Sequence, residues 1–143
     1  MGIADNSFDT ITLHEVIEHI SDPIPLLKEC ARILRPNGVL LIGTGNTDSW
    51  TRQIQKSKWD FFDMKRHAGH ISFFSPKSLN VLASQAGFSV VKVITHSVKF
   101  YEKGEIPPVL YRLVKVFTEL LNLPARLLNK GHQMEVYLRV TKS

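Results

Sequence analysis

One arrangement near the start of this chain limits its possible folds more than any other: two strand-like runs separated by a single, clearly bounded helical segment. Phe8-Asp9-Thr10-Ile11-Thr12-Leu13-His14 is rich in β-branched and aromatic residues and follows the turn-forming Asp5-Asn6-Ser7. Ser21-Asp22-Pro23 then supplies a capping side chain and a proline at the first helical position, where its missing N–H costs nothing. Ile24, Leu27, Ala31 and Leu34, with Cys30 beside them, form an apolar stripe, and Lys28, Glu29, Arg32 and Arg35 lie mostly outside it. Arg35-Pro36-Asn37-Gly38 stops the helix and turns the chain into Val39-Leu40-Leu41-Ile42, a continuous apolar run of the kind covered on both faces. Strand, helix, turn and strand make a βαβ unit, which requires parallel pairing through a right-handed crossover.

Between the first strand and the helix, Glu15-Val16-Ile17-Glu18-His19-Ile20 changes period, which predicts a helical turn near His14. The segment from Asp48 to His70 is polar and spotted with Trp50, Trp59, Phe61 and Phe62, and reads as loop plus short helix. Ser75-Pro76-Lys77-Ser78 caps a further helix, with Ser75 or Ser78 as the capping residue; Leu79, Leu82, Ala83 and Ala86 share one face before Gly87 ends it. Phe88–Ile94 and Met134–Val140 are the remaining strands, the latter a clean alternation. Pro107 to Lys130 reads as an amphipathic helix broken or kinked at Pro124, with Leu110, Leu113, Val114, Phe117, Leu120 and Leu121 on one side. That stripe favours core packing or a contact with a second copy. The flanking Arg112, Lys115, Arg126 and Lys130 also suit a membrane surface or a lipid-substrate lid.

Composition narrows the class. With 143 residues, 43% of them apolar and 22% charged, the chain has the makeup of one globular domain rather than a disordered, fibrous or repeat protein. The lone Cys30 closes no internal disulfide, and neither a signal-peptide pattern nor a transmembrane run is present, so the cytoplasm is the expected setting. Met1-Gly2 opens like a myristoylation signal, but Asn6 stands where that signal needs Ser or Thr. Charge is divided: residues 1–63 carry nine acids and six bases, and residues 64–143 carry four acids and twelve bases. The basic half is a solvated surface or a positive face for an anionic ligand; no nucleic-acid recognition signature accompanies it.

Taken in order, Ser7-Phe8-Asp9-Thr10-Ile11, Glu15-Val16-Ile17-Glu18-His19-Ile20, Asp22-Pro23 and Leu34-Arg35-Pro36-Asn37-Gly38-Val39-Leu40-Leu41-Ile42 resemble the later half of a class I S-adenosylmethionine-dependent methyltransferase. His70-Ile71-Ser72-Phe73-Phe74-Ser75, with Leu79, Leu82 and Ala86-Gly87-Phe88, is similar to the ubiquinone-type branch of that family. The resemblance implies an α/β fold. It is a partial Rossmann-like methyltransferase sheet with flanking helices, its strands corresponding to four, five, six and seven of a seven-stranded sheet in which strand seven lies between five and six. Residues 1–143 would then be one domain, the C-terminal part of that fold, with 98–131 a helical insertion between the last two strands. The family's glycine-rich cofactor turn has no counterpart here, since Gly43-Thr44-Gly45 comes too late. The chain alone is therefore expected to be a truncated, inactive portion of a transferase. Its unpaired Phe8–His14 edge is expected to recruit a second copy.

Ligands of open α/β sheets bind beyond the carboxyl ends of the strands, which places His14, Glu15, Glu18 and His19 at the expected site. The resemblance implies S-adenosylmethionine as cofactor, with His14 and Glu15 near its methionine portion, and a small-molecule acceptor near the catalytic candidates His19 and Glu18. His19, or His14 in second place, could take a proton from a hydroxyl or ammonium acceptor. Glu18 and His19 could equally cap the turn. Asn46, Trp50, His67 and His70 are candidates for holding the acceptor. His14-Glu15-Val16-Ile17-Glu18-His19 matches neither zinc-protease pattern, because no two histidines fall four residues apart, so no zinc site is expected. The rival class is a non-catalytic binding module that uses the basic amphipathic helix for a membrane or protein partner.

Overall fold

The computed structural model describes residues 2–63, 69–101 and 103–141. Its sheet has four strands, β1 (Phe8–His14), β2 (Leu34–Gly45), β3 (Phe88–His96) and β4 (Gln133–Val140), in the order β1-β2-β4-β3. β1 and β2 are parallel, and β4 runs antiparallel to both neighbours. This is the order expected for strands four, five, seven and six of a methyltransferase sheet.

Helix α1 (Pro23–Ile33) makes the crossover between the parallel strands. It begins as anticipated, with the Asp22 carboxylate accepting the Ile24 N–H and Pro23 at the first position. Helix α2 (Trp50–Gln55) and two short 3-10 turns, Lys56–Lys58 and Asp60–Phe62, occupy the aromatic segment. Helix α3 (Pro76–Gln85) starts in a complete capping box: Ser75 is the cap, and Ser78, the other candidate, is its reciprocal partner. Leu27, Cys30 and Ala31 of α1 and Leu79 and Ala83 of α3 pack on one sheet face with Leu40, Ile42, Val136 and Leu138.

The structure departs from the sequence reading in two places. The turn at 35–38 does not precede β2 but interrupts it. Leu34 pairs with Phe8 and Val39 with Thr10, so four residues loop out opposite the single Asp9, with Asn37 at φ 67°. The second departure is helix α4 (Pro108–Leu127), which runs unbroken through Pro124 and does not bury its apolar stripe in the core. Leu113, Phe117 and Leu120 remain 65%, 56% and 71% exposed, whereas Thr118 and Ala125 are buried. Small residues bring α4 close to the sheet at Thr95, whose hydroxyl donates to the Ala125 carbonyl, and the large apolar ones are left outside. No helix among the described residues is long and apolar enough to cross a membrane.

These burial differences predict opposite outcomes for two leucines. Leu27→Ala is expected to cost about 3 kcal/mol, as for a fully buried leucine. Leu120→Lys should stay within about 0.5 kcal/mol of the parent; urea denaturation of both variants provides the check.

Candidate active site

The site is built where the parallel strands end. The ladder between β1 and β2 closes at the pair His14 and Gly43, and the Glu15 N–H adds one further bond to the Gly43 carbonyl at 2.9 Å. Glu15 then takes φ 51°, a left-handed conformation that is costly for a residue with a side chain, and the chain swings off the sheet. A single 3-10 turn, Ile17–His19, follows. Successive side chains on such a turn point about 120° apart. Ile17 accordingly enters the core at 0% exposure, Glu18 is buried at 2%, and His19 faces solvent.

A second segment closes over this turn. The Glu18 carbonyl accepts the N–H groups of Ile71 and Ser72 at 2.9 and 3.1 Å, which straps the stretch around His70 to the end of β1. Gly69 adopts φ 91°, and a Cβ there would come within 3.2 Å of His19 Nδ1, so the strap needs glycine at that position. The His70 ring is buried and meets the His19 ring edge-on at 4.7 Å. It also stacks on Phe61 at 5.8 Å. Phe61 in turn lies against Gly45, and His14 against Gly43, each ring filling the space where a Cβ would project.

Four of the eight residues singled out by sequence therefore form one cluster: Glu15, Glu18, His19 and His70. His14 sits beside it, exposed at the strand end. Asn46 is elsewhere engaged. Its amide donates to the carbonyls of Asn129 and Gly131 and its oxygen accepts the Asp48 N–H, tying β2 to the loop after α4. Trp50 lines a separate cavity of about 290 Å³ with Ile54, Phe100, Phe117 and Leu121. His67 lies outside the described residues. Sequence reasoning missed a buried chain under the cluster, in which Trp59 Nε1–H donates to His132 Nδ1 at 3.1 Å and His132 Nε2 lies 3.2 Å from Asp60 Oδ1. The indole donor fixes the proton of a neutral His132 on Nε2. No local pattern announces this chain, because its members meet only through the fold.

The cluster is acidic and crowded. Oxygen or nitrogen atoms of Glu15, Glu18 and His70 lie within 4.8 Å of one another, and Glu18 Oε1 is 3.9 Å from His70 Nε2. Neither Glu18 carboxylate oxygen has a hydrogen-bond partner among the described residues. Burial, then the facing Glu18 and the charge of Asp60, push the Glu15 carboxyl up to about 7.

The comparisons agree with this architecture. A family profile described as a methyltransferase domain matches residues 4–93, and the chain belongs to that family. Over 46 residues it is 48% identical to the ubiquinone biosynthesis O-methyltransferase of Parvibaculum lavamentivorans, a stretch covering 32% of this chain and 18% of that relative. Among solved structures it is similar to a SAM-dependent methyltransferase of Thermotoga maritima, described as a possible histamine N-methyltransferase. The TM-score is 0.64 and the identity 25%, covering 99% of this chain and 59% of that one. The fold also matches a Burkholderia thailandensis 1,6-didemethyltoxoflavin N1-methyltransferase solved with S-adenosylhomocysteine, at TM-score 0.54 and 16% identity, covering 97% of this chain and 46% of the other. The chain thus spans about half the length of these two solved relatives.

The raised Glu15 carboxyl gives a pH prediction. The folded chain holds this proton more tightly than the unfolded chain, so its contribution to stability is complete below about 4.5 and lost as pH rises through about 7. After solvent screening of a half-buried group the effect is about 1 kcal/mol, or ~4 °C in Tm. Glu15→Gln should raise Tm at pH 8 by about that amount and flatten its dependence between pH 4.5 and 8. Thermal denaturation in EDTA-containing buffers measures this.

Proposed function

We propose that this chain forms the acceptor side of an S-adenosylmethionine-dependent methyltransferase that modifies a hydroxyl group of a small molecule. One observation carries the reading: Glu15, Glu18, His19 and His70 converge at the carboxyl end of a parallel strand pair, the place where open α/β sheets receive ligands. The family membership and the O-methyltransferase description of the Parvibaculum relative support it. In this reading residues 1–143 work as one domain, with 98–131 inserted between its last two strands.

The residues present suit one end of such a donor. The half-buried carboxyl of Glu15, which becomes charged as pH rises through about 7, lies at the rim beside His14, where a methionine portion with its sulfonium would lie. When bound, that group supplies an electrophilic methyl whose transfer depends mainly on alignment with the acceptor. His19 and Glu18 are the proposed catalytic residues, His19 taking the proton that the acceptor hydroxyl loses. His70, held by Phe61 and by the strap, keeps one edge of the His19 ring in place and lines the acceptor side. The adenosine end meets no glycine-rich turn in this sequence, so the chain by itself is proposed to bind the donor weakly.

Methyl transfer from labelled donor, in the protein that carries this chain, tests the assignment. His19→Ala is expected to lower kcat about 100-fold while affinity for S-adenosylhomocysteine changes less than about twofold. An unchanged kcat would remove His19 from the chemistry. The outer edge of β1, with Phe8 43% exposed, is proposed to pair with a second copy. Light scattering should show a mass that rises with concentration, and a constant monomer mass would refute the pairing.

A further inference from the structure

His132 lies outside the acidic cluster, and two backbone bonds fasten it to the same rim. Its N–H donates to the Ser97 carbonyl at 2.8 Å, and its carbonyl accepts the Asn46 N–H at 2.9 Å. β2 and β3 both run antiparallel to β4 and so share the direction of β1. Asn46, just past β2, and Ser97, just past β3, therefore stand on the side where His14 ends β1. The imidazole is carried by backbone that two strand ends hold in place.

Both nitrogens of that ring are engaged. The Trp59 indole, 1% exposed, donates to Nδ1 at 3.1 Å, which leaves Nε2 as the donor toward Asp60 Oδ1 at 3.2 Å. The same Asp60 oxygen accepts the Phe61 N–H at 3.0 Å at the start of the turn Asp60–Phe62, and Lys99 Nζ lies 4.0 Å from the other oxygen. From this turn the Phe61 ring reaches over Gly45 and lies nearly parallel to the His70 ring, at an interplanar angle of 20°. It also meets the His132 ring at 5.1 Å. Removing the imidazole would leave a buried indole N–H without its acceptor and take one donor from Asp60, an unfavourable state that the turn relieves by moving.

We propose that His132 is a positioning residue. Held at the rim by the ends of β2 and β3, it fixes Trp59 and Asp60 from opposite ring nitrogens and thereby keeps Phe61 stacked on His70, the wall assigned to the acceptor side. His132 is not one of the catalytic residues; it acts through Phe61. Its part in acceptor placement rests on the proposed methyl transfer, whereas its coupling to the stack of Phe61 on His70 stands on its own. Asp60 extends the same control toward the acidic cluster, because its charge is among the causes that raise the Glu15 carboxyl. A displaced wall loosens the hold on the acceptor more than it alters the transfer step, so the effect falls on KM.

The test uses the full chain with isotope-labelled histidine, its folding checked by circular dichroism. The nitrogen resonances of the His132 ring are expected to show the Nε2–H tautomer, with Nδ1 unprotonated. In His132→Ala the His70 ring protons should move to the positions they take in Phe61→Leu, where the stacked ring is absent. His132→Gln, whose amide can still donate to Asp60, should return them most of the way. With phenol as the acceptor probe in the protein that carries this chain, His132→Ala is expected to raise KM about 10-fold and to change kcat less than about threefold. An Nδ1–H tautomer in the parent chain, or His70 resonances unmoved in a folded His132→Ala, would overturn the proposal, and the first of these needs no variant to fold. Absence of methyl transfer by the parent, with the His70 signature as expected, counts against the proposed transfer alone.

Discussion

The parallel pairing of β1 with β2, ending at His14 and Gly43, is the constraint from which the candidate site follows. Parallel strands finish on the same side of the sheet, so two segments far apart in sequence deliver their exits to one rim. The chain must leave β1 abruptly there, because Ile17 has to reach a core already occupied by Leu27, Leu40 and Ile42. The left-handed Glu15 is the local cost of that change of direction. A slip of one residue in the pairing would send Ile11 and Leu13 to the open face and remove the Gly43 contact on which the His14 ring rests.

Much of this was legible in the residues, and the reasons differ by element. Caps are short-range chemistry: Asp22 before Pro23, and Ser75 with Ser78, specify helix starts within four residues, and both were readable. The βαβ order needed only strand propensity and the handedness rule. The course of β2 was less accessible. The Arg35-Pro36-Asn37-Gly38 turn is real, but whether pairing resumes before or after it depends on Phe8 reaching Leu34, which is a tertiary matter. The α4 stripe shows a different limit. Amphipathic spacing reports that a helix has an apolar side, not that the rest of the protein covers it. Here the sheet accepts Thr118 and Ala125 because their small side chains allow close approach, and the leucines remain on the far side.

The site was half legible for a similar reason. Glu15, Glu18 and His19 lie within one short motif, and topology alone assigns them to the rim. No local spacing connects them with His70, because His70 arrives on a strap after the aromatic segment that is joined to the turn through backbone bonds to the Glu18 carbonyl. The Trp59, His132 and Asp60 chain lay wholly beyond sequence reach, since His132 arrives from the bend just before β4, 73 residues along the chain from Trp59.

The 3-10 turn explains how such different environments coexist in three consecutive residues. With three residues per turn, successive side chains diverge by about 120°, and the left-handed Glu15 just before the turn redirects the chain into it. Ile17 can then anchor the turn in the core while Glu18 is held against Glu15 and His19 stays open to solvent. Two carboxylates gathered in this way repel one another, and burial intensifies the repulsion. The fold tolerates that cost because Ile17 and the strap set the backbone regardless of the charges. Holding two carboxyl groups together at a ligand-facing rim favours a proton on Glu15, and this links the left-handed geometry at the end of β1 to the raised carboxyl there.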